Sequence, residues 1–253
     1  MIGRVVLAAL VAGLLSGLVL SGIQYVRLTP LIFAAEVFEH ADEHAGPAAA
    51  TAEASSGENK PACVENMPGM KMCPDPGEQP AWEPAPGAER LTYTTVASML
   101  TGAGFALVLA AISLFSGVPI TRANGLIWGL CGFLAVHVAT GAGLPPQVPG
   151  TPVADLLARQ VWWVGTIIAT AAGIYLIALR RETWAPFVAV VLMALPHIIG
   201  APQPPNAATS VPPQLAAAFV ANATAAAAVF WAILGLLLGV LLPRALHTVE
   251  AKA

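Results

Sequence analysis

The sequence predicts an all-α polytopic membrane protein, a bundle of five or six transmembrane helices with one long, largely disordered extracytoplasmic loop. Three observations predict it. The 253-residue chain is 57% hydrophobic and only 10% charged, with a mean hydropathy of +0.74, outside the range of a soluble globular domain. Its apolar residues gather into stretches able to cross a hydrocarbon core of ~30 Å as helices. Its acidic residues, apart from Asp155, Glu182 and Glu250, all fall between Glu36 and Glu89, in a segment poor in large apolar side chains. Lys and Arg are scattered rather than set in a stripe, so nucleic-acid binding has no support.

The six stretches are Val5–Val26, Thr94–Phe115, Asn124–Gly143, Val161–Leu179, Trp184–Gly200 and Gln214–Leu242. The first, residues 1–26, follows Arg4, is long for a signal-peptide core and lacks a small-residue cleavage site, so it reads as a retained signal anchor. Pro186 and Pro196 shorten the regular part of the fifth, and with five spans that stretch would be re-entrant. With six, Arg4, Arg122, Arg180, Arg181, Arg244 and Lys252 fall on one side, against Arg159 in the short loops of the other. Both termini are then expected to be cytoplasmic. Residues 94–242 form the rest of the bundle and 243–253 a tail.

Small residues recur four apart at Ala9, Gly13, Gly17 and Ser21, again at Gly102, Ala106 and Ala110, and at Gly235 and Gly239. Such stripes let helices approach closely where lipid supplies no hydrophobic drive to associate. They point to a bundle or to an oligomer contact and say nothing about transport.

The loop, residues 27–93, opens with Thr29 as a candidate N-cap and Pro30 as a first helical residue, predicting a short helix over 30–45. Glu36, His40 and His44 lie four apart on it, with Glu39 and Glu43 beside them. That spacing puts nitrogen and oxygen donors on one helix face, a set suited to Co²⁺, Ni²⁺ or Zn²⁺ rather than Cu⁺; a solvated helix end is the plainer reading. Residues 45–89 are rich in Ala, Pro, Gly, Ser and Glu and read as disordered. Within them Cys63, Met67, Met70, Met72 and Cys73 form a soft-donor cluster that fits copper, or a disulfide between Cys63 and Cys73 in an oxidising compartment.

Two ionisable residues fall inside spans, His137 in the third and His197, after Pro196, in the fifth. Intramembrane histidines are functional candidates by default, though either can simply bond a neighbouring helix. Both lie towards the loop side of their spans, so with His40 and His44 they could line one route. Asp155 and Arg159, four apart ahead of Trp162 and Trp163, suggest an ion pair steadying an interfacial helix start, and Cys131 is a small packing residue. The chain carries no nucleotide-binding loop, HExxH, catalytic triad or haem motif, so no enzyme activity and no permanently bound cofactor is expected.

The segments Tyr25–Ile32 and Ala35–Glu39, the Leu144-Pro145-Pro146 and Pro149-Gly150 loop, Arg159-Gln160-Val161-Trp162-Trp163 and Leu195–Pro202 resemble the CbtA family, the proposed cobalt transporter subunit. The resemblance covers most of the chain except 45–81. It implies five spans, cobalt uptake across the bacterial inner membrane, and a CbtB-like partner, a small single-span protein with a histidine-rich tail. The Met and Cys cluster departs from a hard-ligand loop and keeps copper acquisition open. A non-transporting scaffold or sensor with a metal-binding loop is the other alternative.

Overall fold

The computed structural model describes residues 2–44, 64–67, 70–72, 84–85 and 87–250, with side chains placed at 2–38, 84–85 and 87–246. Helix α1 (Ile2–Ile23) runs through one π-helical turn (Gln24–Leu28) into α2 (Thr29–His44). Two short antiparallel strands, β1 (Val64–Met67) and β2 (Met70–Met72), pair within the loop. Then come α3 (Ala88–Ser116) and α4 (Gly125–Phe133), which continues through a second π turn (Leu134–Val138) into α5 (Ala139–Gly141). Helices α6 (Leu156–Leu179), α7 (Ala185–Ile199) and α8 (Pro213–Glu250) complete the bundle.

All six expected apolar stretches are helical. Among the described residues four helices are long and apolar enough to cross a membrane: Ile2–Phe38, Ala88–Ser116, Leu156–Leu179 and Pro213–Leu246. Gly125–Gly141 and Ala185–Ile199 are shorter, about 25 Å and 22 Å at 1.5 Å per residue against a core of ~30 Å. The start of α1 and the end of α8 lie at the same end of the bundle, where Val5, Leu242 and Leu246 line one cavity.

The helix start expected at Thr29 is absent. The chain stays helical there, and the Thr29 N–H and hydroxyl both donate to the Gln24 carbonyl, the hydroxyl at 3.2 Å. Pro30 has no N–H for the i−4 carbonyl and its ring crowds that carbonyl; widening the preceding turn to π geometry absorbs the misfit without breaking the helix. The continuous helix, Ile2 to His44, reaches about 65 Å, so α2 projects past any hydrocarbon core that α1 crosses.

Glycine permits the closest contacts. A Cβ at Gly13 would meet the Gly102 carbonyl and the Ala103 backbone, and one at Gly17 the backbone of Ser98 and Met99, so α1 and α3 touch main chain to main chain. Gly125 and Gly129 stand in the same relation to Gly235 and Trp231, joining α4 to α8. Bonds between Ser21 and Thr95 (2.8 Å) and from the Ser98 hydroxyl to Gln24 Oε1 (2.9 Å) extend the α1–α3 seam. In the middle lie Phe230, Trp231, Leu234 and Leu238 of α8, packed against Ala9, Ala106 and Leu109. A second cluster at the other end, with Leu28, Ala35, Val148, Val211 and Phe219, seats α2 against the start of α8.

Candidate metal site and membrane histidines

Of the residues singled out by sequence, Glu36, His137, Arg159 and His197 lie toward one end of the bundle, the end that carries α2, the start of α3, the 144–155 loop, the start of α6 and the end of α7. Glu36 of α2 accepts a 2.7 Å hydrogen bond from the Arg90 guanidinium of α3, and the same guanidinium lies over the Phe33 ring, 5.1 Å from its centroid. The Phe38 carbonyl accepts from Ser210 at 3.4 Å. Together with buried Ala35, these contacts hold α2 in place as it approaches His40 and His44.

His40 and His44 occupy successive turns of α2 beyond Glu36, so the expected column is realised by the backbone; their side chains, with those of Glu39 and Glu43, lie outside the described residues. Arg90 was not anticipated as a partner of Glu36, because nothing in a sequence pairs residues so far apart. Cys63 and Cys73 lie outside the described residues. The β1–β2 pairing sets Met67 opposite Met70 and Met72 opposite Val64. Among the described residues no three His, Cys, Asp or Glu side chains converge as a metal site.

His137 stands half-buried in the π turn between α4 and α5, within the third apolar stretch. Its Nδ1 accepts a 3.0 Å hydrogen bond from the Trp231 indole N–H, and its ring stacks on Phe133 with centroids 6.1 Å apart. An indole N–H can only donate, so in the neutral ring the proton resides on Nε2 and the Nδ1 lone pair is occupied. No proline or glycine marks residues 134–138, so nothing local in the sequence signals this turn.

His197 is exposed near the end of α7, edge-on to Trp162 at 5.8 Å. The Trp162 indole donates to the Pro196 carbonyl at 3.0 Å, tying α6 to α7. Pro196 does not break its helix: α7 continues to Ile199 and stops at Gly200, whose φ of +88° favours glycine. His137 lines a cleft that His197 does not reach. The expected Asp155–Arg159 pair is not formed. Asp155 instead caps α6, its carboxylate accepting from the Ala158 N–H at 2.9 Å, which satisfies an otherwise orphan donor of the first turn.

Continuous apolar helices packed through glycine and buried polar contacts define a multi-pass helical membrane protein. Its family follows from comparison: residues 2–243 match the CbtA family, described as probable cobalt transporter subunit, and the chain belongs to that family. No curated protein and no solved structure matches it at a significant level.

Proposed function

We propose that this chain is the membrane-embedded subunit of a transition-metal uptake transporter, with cobalt as the transported ion, seated in the bacterial inner membrane. The observation that carries the reading is the match to the cobalt transporter subunit family over nearly the whole chain. The start of α1 and the end of α8 share one end of the bundle, which supports an even number of crossings; six, with both termini cytoplasmic, accords with the distribution of Arg and Lys. The loop and α2 then face outward.

In this reading α2 collects the ion. His40 and His44, a turn apart, supply nitrogen donors, and Glu36 joins them by exchanging its bond to Arg90 for a bond to metal. A carboxylate and two imidazoles suit a divalent ion of the cobalt to zinc group. His197, exposed at the same end, is the next ligand inward. His137 leaves the ligand set, because binding metal through Nδ1 would cost it the Trp231 bond. The ion is cargo and not a resident cofactor, and the chain is not an enzyme. The family description as a subunit supports a further component, for which a small, single-span, histidine-rich protein of the CbtB type is the proposed partner.

Uptake of radiolabelled cobalt by cells or vesicles tests this. His40→Ala with His44→Ala, and separately His197→Ala, are expected to lower uptake at least tenfold with membrane levels unchanged; wild-type rates in both would sink the route. Binding without accumulation in the vesicle lumen would instead support a scaffold or sensor. A copper reading has one specific observation in its favour, the cross-strand placement of Met67 and Met70. Competition among metals with Met67, Met70 and Met72 replaced separates that arm from α2.

A further inference from the structure

Between α3, α5 and α6, at the same end as Glu36, lies an open cleft of about 390 Å³. Phe105, Val136, Leu156 and Trp163 make its apolar wall, and His137 and Arg159 stand among its polar groups. Among the described residues no carboxylate lines it. Arg159 is half-buried and forms no ion pair among the described residues. The acid nearest along its own helix, Asp155, is spent on the α6 cap.

The second polar group has the same sense. With Nδ1 of His137 held by Trp231, the ring nitrogen left to address the cleft is Nε2, which carries the proton in the neutral ring and donates. A guanidinium and an imidazole N–H thus face one space, which disfavours a bare cation and suits an anionic acceptor. A guanidinium matches phosphate geometry in particular.

The walls indicate which phosphate. The cleft's flanks continue into apolar surface on α4–α5 and α6, where Val138 is 42%, Leu157 67% and Val161 65% exposed. These are faces that meet acyl chains in a bilayer. Trp162 and Trp163 beside Arg159 form the aromatic and cationic grouping typical of headgroup depth.

We propose that this cleft binds an anionic phospholipid, its phosphate on Arg159 and His137 Nε2–H and its acyl chains along the Phe105–Val136–Leu156 wall. The bound headgroup lies one hydrogen bond from Trp231, which is 2% exposed at the centre of the bundle. The assignment does not depend on cobalt being the cargo, since it uses neither α2 nor His197.

Full-length protein in neutral detergent, titrated with phosphatidylglycerol or phosphatidylcholine and followed by native mass spectrometry, tests it. Wild type is expected to hold phosphatidylglycerol about tenfold more tightly, because phosphatidylcholine brings a choline cation beside its phosphate that the Arg159 guanidinium repels. Arg159→Gln should abolish that preference, and Arg4→Gln, at the opposite end, should keep it. A folded Arg159→Gln protein with the preference intact overturns the proposal, as does a wild type that treats both lipids alike. Inorganic phosphate displacing phosphatidylglycerol at millimolar concentration would assign the cleft to a soluble anion and overturn the lipid. If Arg159→Gln does not fold, vesicles of brominated phosphatidylglycerol in phosphatidylcholine carry the test. Excess quenching of indole emission should vanish in Trp163→Phe, and its persistence there overturns the site.

Discussion

Where α1 meets α3 and α4 meets α8, glycine stands against backbone and the contact is carbonyl to Cα; where α6 meets α7, Gly173 stands against the Met193 side chain and the Ala189 carbonyl. Half of the most apolar stretch of α8 is buried inside the bundle, against 17% of that of α6. The polar groups differ in the same way. Ser21, Thr95, Gln24 and Ser98 bond across the α1–α3 seam, whereas the Thr170 hydroxyl of α6 is buried without a partner. One region is a backbone-to-backbone scaffold with no room to move. The other is a helix pair resting on that scaffold, held by side chains that can re-pack, and it carries His197 and borders the cleft.

The comparison breaks most directly at glycine. Gly235→Val would press a branched side chain into the Gly125 and Gly129 backbone, where nothing flexible can yield, and is expected to cost about 3 kcal/mol or the folded state itself. Gly165→Val in α6, where a Cβ meets nothing within 4 Å, should stay within about 0.5 kcal/mol. Thermal unfolding of the two in the same detergent checks both; equal midpoints would remove the distinction between the regions.

Tryptophan gives a finer contrast. Trp231→Phe deletes the bond to His137 in the core and leaves an imidazole acceptor unpaired, for an expected loss of about 2 kcal/mol. Trp162→Phe deletes the bond to the Pro196 carbonyl, which still accepts from the Gly200 N–H at 3.1 Å, for about 1 kcal/mol. Denaturant titration should rank them in that order, with the second loosening protease access to the 200–212 loop before global unfolding.

The smallest effect is expected at Arg90→Gln. The ion pair with Glu36 is short but partly exposed, with side-chain exposures of 37% and 27%, so its loss should change the unfolding midpoint little, by well under about 1 kcal/mol. If it lowers stability as much as Trp231→Phe, α2 belongs to the scaffold rather than to its rim.

What was legible of the candidate residues is their placement, because it depends on spacing. Glu36, His40 and His44 follow from helical periodicity, and the two membrane histidines stand out because charge is scarce in a span. What was not legible depends on distant partners. Asp155 and Arg159 have good spacing for an ion pair, yet the open first turn of α6 competes for the carboxylate and takes it. Nor could spacing show that Trp231, far along the chain, donates to Nδ1 of His137.

The sequence by itself determined that the chain is a membrane helix bundle, where its helices lie and which faces are small enough to pack, since hydrophobic length and residue size are properties of local sequence. Tertiary structure decided which polar groups remain free. Arg90 took up Glu36, Trp231 took up His137, and Arg159 was left facing a cleft with no ion-pair partner among the described residues. The physical reason is that burial is a one-body property of a segment, while a hydrogen bond or ion pair is a two-body property that only folding specifies.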